Sequence, residues 1–119
     1  MEDARHLLDQ IKAAGQLEAV MHQLKKDYER ANVTFPFGEP AYTNLLTSEI
    51  LQRFHENLYF LLMEHFDHYL NLMYTADVPE HEFREIQPTD VVEVAEEVVM
   101  LLLKREWQKV QLRSRFDQK

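Results

Sequence analysis

The stretch from Ile50 to Tyr74 constrains the fold more than any other part of this sequence. Placed on a helix at about 100° per residue, its apolar residues cover most of the circumference. The centre of the apolar stripe is formed by Ile50, Phe54, Leu58, Leu61, His65, Tyr69 and Leu72, and Leu51, Leu62, Phe66 and Met73 widen it. A helix this apolar needs other helices on two or more sides. The sequence therefore predicts a helical bundle built around this segment.

Two further segments repeat apolar residues at three- and four-residue steps, which is the helical period. We predict an all-α, up-down bundle of three long helices, at about 3–31, 44–75 and 89–117, forming a single domain over 1–119. The stripe of the first segment stays in phase across Gly15, which favours one helix there. In the alternative, Gly15 caps a shorter helix and the bundle has four helices. Two glycines and four prolines are too few for a β-rich fold.

Composition excludes several classes of site. The chain has no cysteine, so disulfides, thiolate chemistry and cysteine-ligated zinc are excluded. It has no run of about 18 apolar residues, so we expect no transmembrane helix. The acidic start, Met1-Glu2-Asp3, lacks the apolar region of a signal peptide. We therefore expect a cytoplasmic protein that does not contact the membrane.

The net charge of −8 is unevenly distributed. The last 16 residues, from Lys104 to Lys119, contain six basic side chains and only two acidic ones, Glu106 and Asp117. An acidic body disfavours binding to nucleic acid, because most of that affinity comes from cations that neutralise phosphate. We expect the basic end to complement acidic surface on its own chain or on a second copy. Nucleic-acid binding by the basic end alone is a weaker hypothesis.

One histidine and two charged residues interrupt the apolar stripes. His65 lies at the centre of the middle stripe, so we predict a buried histidine that needs a hydrogen-bond partner. Glu106 falls on the continuation of the core stripe of the last helix and is the predicted partner. Arg113 lies two turns further on and is predicted to complete a buried polar network. In the alternative, the last helix overhangs the bundle and leaves Glu106 exposed at the rim.

Acidic residues and histidines also suggest a metal site. In an unbroken helix, Glu64 and His68 would form an i,i+4 pair able to chelate a divalent ion. The pairs Glu64-x-x-Asp67 and Glu93-x-x-Glu96 resemble, in reverse order, the magnesium-binding pairs of small all-α nucleotide pyrophosphohydrolases. A metal-dependent hydrolase is therefore the alternative function, with the candidate ligands Glu64, Asp67, His68, Glu93, Glu96 and Glu97. Acid pairs at helical spacing more commonly form a solvated face, so we predict no cofactor.

The end of the last helix offers a candidate interface. Four apolar residues alternate there with Lys and Arg: Trp107, Val110, Leu112 and Phe116. Trp and Arg are enriched at the energetic centres of protein interfaces. This surface could bind a protein partner, or pair with an acidic patch on a second copy in a two-fold dimer. We predict a non-catalytic interaction or scaffold module that self-associates, since a dimer would give the Ile50–Tyr74 segment the extra cover that it needs.

Overall fold

The computed structural model describes residues 2–38, 44–86 and 90–117. These residues form six helices and no strand, so the predicted all-α class is confirmed while the predicted number of helices is wrong. The helices are α1 (Glu2–Ala13), α2 (Leu17–Arg30), α3 (Thr47–Glu64), α4 (Phe66–Thr75), α5 (Glu80–Arg84) and α6 (Val91–Asp117). Each of the first two predicted helices is divided in two, the short α5 lies within the second predicted break, and α6 matches the third.

The first predicted helix ends at Gly15, as in the four-helix alternative. Gly15 has φ +69°, in the left-handed region that glycine enters without steric cost. Its N–H donates to the Lys12 carbonyl at 2.9 Å, and the Gln16 N–H donates to the Ile11 carbonyl at 3.1 Å. This pair of bonds is the Schellman motif, which satisfies carbonyls that the helix end would leave unpaired.

Two other helices end in the same motif without a glycine. Asn32 follows α2 and Asp77 follows α4, each with φ +62°. In each case the next residue, Val33 or Val78, donates its N–H back to a carbonyl of the last helical turn and buries its side chain. Asn and Asp are the residues that tolerate the left-handed region best after glycine. The chain therefore reverses direction three times with one kind of turn.

The predicted central helix is interrupted at His65, which separates α3 from α4. His65 has φ −144° and ψ 62°, which is not helical, although its neighbours on both sides are. The hydrogen bonds continue across the break, since the His65 N–H donates to Leu61 and the His65 carbonyl accepts from Tyr69. The break therefore displaces a single residue and leaves the flanking stripe residues in the core.

The last helix, and not the central segment, contacts the largest number of other helices among the described residues. The helices α1, α2, α3 and α5 all pack against α6. Its N-terminus is capped by Asp90, whose carboxylate accepts a hydrogen bond from the Glu93 N–H at 2.9 Å. The inward side of α6 contributes Ala95, Val98, Val99, Leu102 and Leu103 to one continuous core. On one side of α3 and α4, the described residues leave several large apolar side chains about half-exposed.

Candidate interaction surface

Five large apolar side chains on α3 and α4 point to solvent. Each is between 38% and 54% exposed, and together we call them the α3–α4 apolar face: Tyr59, Phe60, Met63, Phe66 and Tyr74. Single exposed apolar residues are normal on protein surfaces, whereas a cluster of them on adjoining turns marks a site of interaction. The sequence predicts that other helices pack against two or more sides of the Ile50–Tyr74 segment. The structure shows the side on which these apolar residues stay exposed.

A groove of about 490 Å³ opens beside this face. Its walls come from α4, α5 and the start of α6, with Phe66 and Tyr74 at its edges. The floor contains Phe83 of α5, whose ring stands edge-on to Tyr69 at 6.4 Å and to Tyr74 at 5.6 Å between centroids. Burial raises the pKa of Tyr69 to about 12, so this phenol stays neutral. The groove is therefore a largely apolar and aromatic cleft, with Arg84 as its one charged lining residue within the described part of the chain.

The outward side of α3 changes character along the helix. Its first half presents polar side chains such as Gln52, Arg53 and Glu56, as a solvated helix normally does. Its last turns present Tyr59, Phe60 and Met63 instead. The helical period alone does not explain this change, because both halves have the same buried stripe. The second half of the exposed side is suited to contact with another protein surface.

His65 is exposed, so the prediction of a buried histidine is wrong. The helix break turns its ring outward, where it stacks on His68 with centroids 5.0 Å apart and meets the edge of Phe60 at 5.1 Å. The other centre residues of the predicted stripe, from Ile50 to Leu72, are all buried. The error at His65 follows from assuming an unbroken helix, because the one residue at the break does not follow the helical phase.

Glu106 is fully buried on α6, and its partners are on α2 and α6 rather than at His65. The Lys109 ammonium lies 2.8 Å from Glu106 Oε1 and 2.6 Å from Oδ2 of the buried Asp27. The first contact is short but is not a well-directed hydrogen bond, since among the described residues neither Glu106 oxygen accepts one. The ammonium also donates to the Ala76 carbonyl at 2.9 Å. One lysine therefore serves two buried carboxyl groups, and a rim-exposed Glu106 is excluded.

The electrostatics of this buried cluster favour a protonated Glu106. Burial raises its pKa to about 8, the neighbouring Asp27 carboxylate adds to the increase, and the Lys109 ammonium opposes it. A protonated Glu106 supplies an O–H donor toward Asp27, so one proton and one ammonium together neutralise two acids. Gln23 donates to Asp27 Oδ1 at 3.2 Å. Arg113 is exposed, not buried as predicted, but its guanidinium donates to Gln23 Oε1 at 3.1 Å and extends the cluster outward.

The predicted interface on the last helix is partly used within the chain. Trp107 is half-buried and donates its indole N–H to Gln16 Oε1 at 2.6 Å, which ties α6 to the turn between α1 and α2. Val110 is half-buried against the core, and Leu112 is 48% exposed. The side chain of Phe116 lies outside the described residues. The basic residues nearby are also paired internally, as Arg105 with Asp77 and Lys109 with Asp27.

The acids of the hydrolase hypothesis are not brought together. Glu64 ends α3, so the helix break removes its i,i+4 relation to His68. Among the described residues, the group of ligand atoms close enough to hold a metal consists of His65, Asp67 and His68. Two of the acids predicted on the last helix, Glu96 and Glu97, line another cleft. Glu93, the third, is an exposed residue in the first turn of α6.

The chain matches no protein-family model, no curated protein and no solved structure. Of the helices in the described ranges, none combines the length and the apolar content that crossing a membrane requires. The function must therefore be inferred from the surface itself.

Proposed function

We propose that this protein is a non-catalytic helical interaction module that self-associates through the α3–α4 apolar face. The observation that carries the proposal is the cluster of five large apolar side chains that the described residues leave about half-exposed, beside a largely aromatic groove. The exposed rings of one copy would fill the groove of the other. Burial of apolar area contributes about 25 cal/mol per Å², so covering several half-exposed rings is a substantial driving force.

Charge supports a second copy as the occupant. The chain carries a net charge of −8, so most of its surface repels a second copy. The five members of the α3–α4 apolar face are uncharged, and a two-fold axis through the face would place this neutral patch opposite itself. The members of the face itself therefore add no charge repulsion between two copies, although the exposed Glu64 and Asp67 lie beside it. Cytoplasmic residence stays a prediction.

The last helix is the less suitable surface for self-association. Trp107, the side chain with the most area to contribute, is already engaged with Gln16. Three basic residues that would have faced an acidic partner, Arg105, Lys109 and Arg113, already contact acidic or amide groups of their own chain. This internal pairing also weakens the hypothesis of nucleic-acid binding, since those cations are not available to phosphate without losing their partners.

The test is a measurement of molar mass by light scattering and sedimentation velocity over a wide range of concentrations. We expect the wild-type protein to dimerise reversibly and the double variant Met63→Glu/Phe66→Glu to be monomeric, because it places two carboxylates of each copy inside the interface. Leu112→Glu is the matched control, since Leu112 is as exposed on α6 as Phe60 is on α3. It should dimerise like the wild type.

Two results would contradict this proposal. A wild-type protein that is monomeric at every concentration would exclude self-association. A monomeric Leu112→Glu variant beside a dimeric Met63→Glu/Phe66→Glu variant would move the interface to the last helix. Far-UV circular dichroism of all three proteins checks that the helical content is unchanged, so that loss of the dimer is not loss of the fold.

A further inference from the structure

The break between α3 and α4 gathers three metal-ligating side chains. His65 lies at the break, and Asp67 and His68 lie in the first turn of α4. One ligand atom from each lies within 4.8 Å of the other two. In an unbroken helix, His65 and Asp67 would point about 200° apart. The group therefore exists because the helix is interrupted, at a residue that is neither glycine nor proline.

We propose that His65, Asp67 and His68 form a binding site for a divalent transition-metal ion of the zinc class. Two imidazole nitrogens and one carboxylate oxygen are ligands that zinc accepts, and three protein ligands leave a fourth position open to water or to another group. The ligand atoms of a tetrahedral zinc ion are about 3.3 Å apart, given bonds of about 2.0–2.1 Å. The three ligand atoms now lie within 4.8 Å of one another, so small side-chain rotations would bring them to this distance.

The surroundings allow these rotations and favour a cation. His65 and Asp67 are exposed and His68 is half-buried, so their side chains can turn without disturbing the core. The stacked imidazole rings must tilt from their present interplanar angle of 11° for both to direct a nitrogen at one ion. The chain contains no Lys or Arg between Arg53 and Arg84, while Glu64 and Asp67 add negative charge beside the histidines. Nearby charge in the sequence therefore does not repel a divalent ion.

This site differs from the one expected of a helical hydrolase. That hypothesis uses carboxylates of two helices, whereas the site proposed here lies entirely at one helix junction and includes His65. It also does not depend on self-association, because all three ligands belong to one chain. An ion bound there would fix the α3–α4 junction next to Phe60, at the edge of the apolar face.

The experiment is a calorimetric titration of the metal-free protein with zinc chloride near neutral pH. We expect one ion per chain for the wild type. His65→Ala and His68→Ala should each weaken binding at least about tenfold, since loss of even a supporting partner of a ligand costs that much. His81→Ala is the matched control, because His81 is an exposed histidine on α5 that lies outside the cluster, and it should bind like the wild type.

A second readout identifies the ligands directly. In two-dimensional NMR spectra of the imidazole carbons, zinc should shift the signals of His65 and His68 and leave that of His81 in place. The proposal is overturned if zinc binding by the wild type and by the His65→Ala/His68→Ala double variant is equal, or if His81→Ala loses as much affinity as His68→Ala. Unchanged circular dichroism of the variants shows that a loss of binding is not a loss of fold.

Discussion

Two regions of this protein invert the usual distribution of polar and apolar groups. Between α2 and α6, Asp27, Glu106 and Lys109 carry ionisable groups into the interior. On α3 and α4, large apolar side chains including Phe60 and Phe66 lie half-exposed. In the first region every charge has a compensating group from the same chain. In the second, the described residues supply only partial cover, and the proposed dimer would supply the rest. The comparison therefore contrasts a cluster that stabilises the fold with a surface that we propose for function.

The largest effect is expected from breaking the buried cluster. Lys109→Met keeps the apolar stem but removes the ammonium that serves Asp27 and Glu106. Removal of one partner of a buried ion pair costs about 3–5 kcal/mol, because the other charge stays buried without compensation. We expect a loss of that size in the free energy of unfolding, measured by urea denaturation.

The matched control is Arg84→Met, which breaks the exposed ion pair between Arg84 and Glu80. Solvent screens such an exposed pair, so its loss should hardly change the free energy of unfolding. If Lys109→Met costs no more than Arg84→Met, the cluster does not contribute as we describe.

The second effect concerns pH and isolates Glu106. Its pKa of about 8 in the folded protein is raised above the ordinary value of 4.5. The unfolded chain therefore releases this proton at lower pH than the folded protein, and the free energy of unfolding falls as pH rises through this interval. Glu106→Gln keeps the shape but cannot ionise. Relative to the wild type, we expect the variant to gain roughly 3–4 kcal/mol between about pH 5 and pH 8.5, since one pKa unit corresponds to about 1.4 kcal/mol.

The measurement is urea denaturation at several pH values, with Glu93→Gln on the exposed start of α6 as the control. Equal pH dependence in the wild type and in Glu106→Gln would show that Glu106 is not protonated in the folded protein. The glutamate at position 93 is exposed, so its replacement should leave the slope unchanged.

The two regions also differ in how far the sequence could predict them. The periodicity of apolar residues reports which residues are suited to burial, and from Ile50 to Leu72 every centre residue of the predicted stripe except His65 is buried. The same argument placed Glu106 on the core side of the last helix. Periodicity does not report which helix lies opposite, so the role of Asp27, which approaches Glu106 only through the packing of α2 on α6, could not be predicted. Lys109 lies on the same helix as Glu106, three residues further on, but it serves both acids only because α2 brings Asp27 to it.

The exposed face was missed for a related reason. Phe66 widens the predicted stripe, but its burial depends on which helices pack against that side, and α6 packs against α1, α2, α3 and α5. The break at His65 has no glycine or proline to signal it. By contrast, the helix end at Gly15 is indicated by the glycine itself. The structure has this helix end, which is the alternative predicted from the sequence.

The third effect tests the turn that joins α1 to α2. Gly15→Ala must place a side chain at φ +69°, which costs about 1–2 kcal/mol for a non-glycine residue. Gly15→Asn should cost less, because Asn32 already occupies the equivalent position after α2. Thermal denaturation measures both. Gly38→Ala is the control, since Gly38 lies outside the left-handed region with open space around its Cβ position, and an equal loss there would exclude the proposed cause.

The smallest loss of stability is expected for a substitution on the α3–α4 apolar face. A small loss is what distinguishes this surface from the buried cluster. Phe66 is 54% exposed, so Phe66→Ser removes little buried area from a single chain. Measured at concentrations where the protein is monomeric, the free energy of unfolding should change by less than about 0.5 kcal/mol, the range of ordinary surface substitutions. At concentrations where the wild type is dimeric, the variant should be the less stable of the two, because association stabilises the folded state by mass action. A loss of the same size at both concentrations would mean that Phe66 stabilises the fold of its own chain. The α3–α4 apolar face would then have a structural role and not a role in association.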